Sequence, residues 1–102
     1  MPYGLTDEQM LFLRSLFAKN ERIERVLLYG SRAKGTYKPF SDVDITIVGK
    51  GLTVADIDAL HAALNGSVIP YKFDIYKFDL LTDKLPENYN PKSGITIYQR
   101  NP

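Results

Sequence analysis

The chain has no cysteine and one histidine in 102 residues. Without cysteine there are no disulfides and no thiolate metal sites, and a reducing compartment is permitted. The histidine, His61, lies in a helical stretch far in sequence from the acidic residues that matter below, so it receives no role. A dominant charge is also missing: 13 lysines and arginines against 12 aspartates and glutamates leave +1. That is too little for bulk capture of nucleic acid, which needs a strongly basic face. No apolar run approaches the length of a membrane span, and no basic-then-apolar leader opens the chain, so a soluble, cytoplasmic protein is expected. Internal repeats, low-complexity tracts and linkers are absent, and the length suits a single domain over residues 1–102.

What is present is ordinary globular material, 44% hydrophobic and 25% charged, so a packed core is expected. Thr6 with Gln9 makes a capping-box signature. Asp7 and Glu8 suit a helix start, and Met10, Leu13, Leu16 and Phe17 form an apolar stripe, predicting a helix from Thr6 to about Asn20. Glu21 to Arg25 reads as a solvated charged connector. Val26 to Tyr29 is a short buried strand. Thr53 is predicted to cap a second helix running to Leu64, with Asp56 and Asp58 facing solvent because residues two apart on a helix diverge. Strands follow at 71–78 and 95–98, the latter at a sheet edge, with a short helix between Asp79 and Leu85. The pattern is an α+β domain, one sheet backed by helices.

The stretch with chemistry runs from Tyr29 to Val48. Gly30 permits a sharp turn at the end of a strand, and the backbone amides and Ser31 hydroxyl of a helix start make an anion site, with Arg32 and Lys34 adding positive charge. A phosphate is the expected guest. After 10 further residues come Asp42 and Asp44. On a strand these share a face with Thr46, opposite Val43, Ile45 and Ile47, with backbones about 6–7 Å apart. Two such acids repel unless a cation separates them. Asp74, on the polar face of the 71–78 strand, supplies a third carboxylate. Three carboxylates around two magnesium ions form a clamp for phosphoryl or nucleotidyl transfer. Tyr37, Lys38 and Phe40, in the loop between turn and acids, are placed to close over a nucleotide. Of the remaining tyrosines, Tyr3, Tyr76, Tyr89 and Tyr98 suit either half-buried packing or stacking on a base or partner.

This layout of Gly-Ser, Asp-x-Asp and a later strand aspartate resembles the polymerase-beta-like nucleotidyltransferase superfamily. The wording GSRAKGTYKPFSDVDITI resembles its minimal nucleotidyltransferases, the MntA-type antitoxins paired with HEPN-domain proteins. The similarity covers nearly the whole chain and implies a mixed sheet backed by helices. Carried over, Gly30 and Ser31 would hold the triphosphate, Asp42 and Asp44 would bind magnesium, and Asp74 would ligate the second ion and activate the acceptor. Arg32 is the motif's usual basic partner. Lys34 stands where arginine is common, keeping charge without the bidentate fork. The proline-broken 86–92 stretch departs from relatives that continue a helix. The resemblance implies ATP as donor and a tyrosine of a HEPN partner as acceptor. Two alternatives remain at this stage. One is a non-catalytic subunit that binds a nucleotide or covers a partner; the other is transfer to a small molecule in a pocket completed by a second chain, a homo-oligomer included.

Overall fold

In the computed structural model, which describes residues 2–83 and 94–100, local capping chemistry starts both long helices. A 3-10 turn, Pro2–Gly4, leads to α1, Asp7–Ala18, where Thr6 and Gln9 exchange the two bonds of a capping box. Helix α3, Val54–Asn65, starts on the equivalent box between Thr53 and Asp56. Each box satisfies backbone amides that the first turn leaves without partners. Between and after these helices lie β1 (Ile23–Tyr29), α2 (Gly30–Lys34), β2 (Val43–Gly49), β3 (Phe73–Asp79) and β4 (Ile95–Gln99).

The four strands form one mixed sheet in the order β3-β2-β1-β4. Strand β1 pairs antiparallel with β2 and with β4, and β2 runs parallel to β3. A parallel neighbour needs a crossover, and α3 supplies it. Alternation then sorts the side chains. Val43, Ile45 and Ile47 of β2 are fully buried and join Phe73 and Ile75 of β3, with Leu13 and Phe17 of α1 and Leu60 and Leu64 of α3, in one core. Asp44, Thr46 and Asp74 occupy the alternate positions and point to the other face. No helix among the described residues is long and apolar enough to cross a membrane.

Three readings of the sequence need correction. Strand β1 begins at Ile23, not Val26, because its register shifts between Ile23 and Arg25. The bulge lets Ile23 and Val26, three residues apart, both face the core, which breaks the alternation a sequence pattern relies on. Gly49, which with Lys50 and Gly51 reads as a turn in the sequence, instead closes β2. A Cβ there would overlap the Arg22 carbonyl, so the bulged chain can approach only a glycine. The described part of the segment after β3, residues 80–83, is a turn over Leu80–Thr82 rather than a helix. Asp79, 5% exposed, organises it by accepting from Leu81 N (3.0 Å), Thr82 Oγ1 (3.1 Å) and, across the molecule, Gly51 N (2.9 Å). These donors hold the Asp79 carboxyl below its ordinary range. The 86–92 stretch and Tyr89 lie outside the described residues.

Asp56 is the fourth correction. Expected at the surface, it is 4% exposed. Besides capping α3 through Thr53 N (2.8 Å), it accepts from Asn20 Nδ2 (2.9 Å) and pairs with Arg22. One carboxylate therefore joins the α3 start to the turn before β1, and the Arg22 bond, foremost among these, holds its pKa far below the usual carboxylate range. We expect Asp56→Ala to cost about 2–3 kcal/mol in urea unfolding at neutral pH, a cap plus charge-assisted bonds with a half-exposed partner. A depressed folded pKa stabilises above the unfolded value, near 4, and that contribution is lost as pH falls toward the folded value. The gap between variant and unmutated chain should therefore narrow as pH drops below about 4. A gap that widens there would refute this account of the pair.

Candidate active site

The pairing of β2 with β3 is what brings the acids together. Asp44 stands directly opposite Asp74, between the core pairs Val43 with Phe73 and Ile45 with Ile75. Paired positions on adjacent strands lie about 4.8 Å apart, so the two carboxylates share one small patch of the open face. Asp42 sits exposed one residue before the strand. The Asp44 carboxyl is pushed up from its ordinary pKa, first by burial, then by a hydrogen bond with Asp74, then by the charges of Asp74 and Asp42. Lys72 opposes this weakly. Its Nζ is 3.9 Å from Asp74 Oδ1, on a side chain 73% exposed.

The glycine-serine turn abuts the same carboxylate. Tyr29, the last residue of β1, pairs with Asp44, and Gly30 then begins α2 with φ of 74°. A Cβ on Gly30 would fall on Asp44 Oδ2. Glycine is thus required twice here, for a left-handed backbone and for the room its missing side chain leaves to the acid. Ser31 is half-buried beside it, and Lys34 is exposed.

Arg32 departs from expectation. Instead of reaching toward a phosphate site, its side chain is 1% exposed. Its Nε and Nη2 donate to Ser41 O (3.1 and 2.8 Å), and its Nη1 donates to Tyr3 O (2.9 Å) and Gly4 O (3.2 Å). The guanidinium lies 4.1 Å from the Tyr71 ring centre and 5.5 Å from that of Tyr37. The reason is geometric. On a helix as short as α2 the side chain two positions past Gly30 turns inward, and carbonyls meet it there. Sequence reasoning missed this, and also Tyr71. The only signal was a tyrosine before β3 and another in the loop, either of which can stack on a cation. The loop itself is pinned, with Phe40 exposed and its ring 6.4 Å from Tyr71. The partly buried Tyr98 ring packs tilted against Phe17, centres 5.8 Å apart, at the margin of the core, and Tyr76 is exposed.

A cleft of about 580 Å³ opens between the end of α3 and the start of β3, lined by His61, Asn65, Ser67, Tyr71 and Lys72 among others, and none of the three aspartates lines it. A divalent cation suits the donor chemistry, since these are hard carboxylate oxygens and the disfavoured Asp44 anion gains from a cation beside it. Among the described residues no three acidic or histidine side chains already converge on one point. Asp44 and Asp74 form the ready pair, and Asp42 acts on Asp44 through its charge.

Residues 12–102 match the family described as polymerase beta, nucleotidyltransferase. A solved structure described as a candidate nucleotidyltransferase from Sulfolobus solfataricus aligns with a TM-score of 0.53 at 20% identity, covering 89% of this chain and 77% of that one. At that identity the likeness speaks to the fold alone. No curated protein matches the chain.

Proposed function

Because the chain belongs to the polymerase beta nucleotidyltransferase family, we propose that it transfers AMP from ATP to a hydroxyl acceptor with the help of magnesium. The observation that carries this reading is the register of Asp44 against Asp74 with Gly30 pressed to the same carboxylate. It sets the glycine-serine turn and the carboxylate pair side by side.

In this reading Asp42, Asp44 and Asp74 would hold two magnesium ions. When bound, these neutralise phosphate charge and favour the deprotonated acceptor. Gly30 and Ser31, at the start of α2, orient the β- and γ-phosphates, and Lys34 contributes charge from the surface. Asp74, on the open edge of the pair, accepts the acceptor's hydroxyl proton. The acceptor oxygen bonds to the α-phosphorus as the bond to the bridging oxygen breaks, and pyrophosphate leaves toward the turn.

The resemblance supports a tyrosine of a HEPN-domain protein as that acceptor, making the chain an antitoxin. Intact-mass measurement of such a protein after incubation with this chain, magnesium and ATP should show gain of one or more AMP units. The gain should disappear with Asp42→Asn. A stable complex without any gain would move the reading to a non-catalytic binding subunit.

A further inference from the structure

We infer that Arg32 is a positioning residue for the acidic site, one that fixes where Asp42 stands relative to Asp44 and Asp74. The inference rests on the metal-binding reading above. The Ser41 carbonyl belongs to the same rigid peptide plane as the Asp42 amide, and two nitrogens of one guanidinium hold that carbonyl at 3.1 and 2.8 Å. Holding the plane sets the direction from which Asp42 departs.

The anchor at the other end is equally committed. Nη1 bridges the carbonyls of Tyr3 and Gly4, and Tyr3 is held at φ of 60°, a region costly for a non-glycine residue. A Cβ on Gly4 would crowd Arg32 Nη1 (2.7 Å) and Tyr37 Cε2 (2.6 Å). The Tyr71 ring, three residues ahead of Asp74, covers the guanidinium face. One side chain thus touches the first turn, the peptide of Asp42 and the approach to β3, from a helix that begins at Gly30.

The charge itself is unusual. A buried cation normally takes an acidic partner, because desolvation costs several kcal/mol. Among the described residues Arg32 forms no ion pair, and carbonyls and aromatic faces satisfy it instead. Apolar packing would stabilise the interior as well. What only a planar fork supplies is simultaneous, directional hold on carbonyls from two segments.

The test is Mn²⁺ affinity of the nucleotide-free protein, followed by electron paramagnetic resonance, for Arg32→Lys, Asp42→Asn and the double variant. Lysine keeps the charge and loses the fork. We expect Arg32→Lys to weaken Mn²⁺ binding about 10- to 100-fold, as loss of a ligand-orienting partner does, with no further loss when Asp42→Asn is added. Amide exchange of residues 38–42 should accelerate in the same variant. Tyr71→Leu, which removes one stacking face and retains the fork, should weaken Mn²⁺ binding about three- to tenfold, and it serves if Arg32→Lys does not fold. If Asp42→Asn weakens Mn²⁺ while Arg32→Lys and Tyr71→Leu do not, Arg32 is no positioning residue and the metal reading stands. If Asp42→Asn leaves Mn²⁺ affinity unchanged, the metal reading of Asp42 falls first and this inference with it. An Arg32→Lys effect confined to the KM for ATP would return Arg32 to the phosphate and overturn the inference.

Discussion

Asp44→Asn is expected to lower AMP transfer by about 10²–10⁴-fold, the several kcal/mol that a bound metal contributes, without lowering the thermal midpoint of the metal-free protein. The two halves of this expectation share one cause. Asp44 is disfavoured as an anion by its burial, by Asp74 beside it and by Asp42 nearby. An amide of the same shape relieves that repulsion and can still donate to Asp74. It is, however, a poor ligand for a hard cation. The sign with pH follows from the raised pKa. From the unfolded value, near 4, up to the raised folded value, the native chain keeps a proton that the unfolded chain has released. Stability therefore falls as pH rises through that window, and the full penalty is present above it. Urea unfolding in chelator from pH 4 to 7 should show Asp44→Asn gaining on the unmutated chain as pH rises. Parallel curves for the two proteins would contradict the electrostatic account. Undiminished transfer by the variant would contradict the site.

The second large effect belongs to the turn. Gly30→Ala and Gly35→Ala both place an alanine at positive φ, 74° and 81°, and each incurs the cost of about 1–2 kcal/mol that a Cβ meets there. Their surroundings differ. At Gly35 nothing lies within 4 Å of the added carbon, whereas at Gly30 it meets the Asp44 carboxylate. Gly35→Ala should therefore lose several degrees in thermal midpoint, at about 4–8 °C per kcal/mol for a domain of this size, with transfer intact. Gly30→Ala should lose more, and its transfer should drop by about 10²-fold, since displacing a reacting group by roughly 1 Å has that effect. The comparison separates backbone strain from displacement of Asp44. Equal behaviour of the two variants would mean that the close approach of Gly30 to Asp44 carries no functional weight.

Much of this site could be read from the chain. Alternation placed Asp44 and Asp74 on polar faces, because Val43, Ile45, Phe73 and Ile75 mark the buried side without ambiguity. Thr6 and Thr53 announced both long helices through local capping chemistry. What alternation cannot carry is partnership. Nothing in the two segments says that β3 lies parallel to β2, or that Asp74 sits opposite Asp44 instead of one step along. The inward turn of Arg32 was hidden because α2, five residues long, is too short to show a buried stripe. Its carbonyl partners, moreover, belong to backbone, which has no sequence signature. Ile23 was lost to a bulge and Asp56 to a pairing 34 residues away. Each miss is a tertiary contact that overrides a local rule.

The turn at Asp79 has a consequence at the opposite end of its strand. Alternation punishes a slip of β3 by one residue, because every core side chain would be turned outward. A slip by two in one direction leaves Tyr71, Phe73 and Ile75 against Val43, Ile45 and Ile47 and would set Lys72 opposite Asp44. The core is nearly blind to that error. The Asp79 carboxylate bound to Gly51 N, with Leu80 N bound to Gly49 O at 2.7 Å, fastens the far end of β3 to the far end of β2 and removes the choice. It acts as an indexing pin, fixing by how many steps the two strands are offset. The meeting of Asp44 with Asp74 is thus determined five residues downstream, by an aspartate that never approaches a substrate.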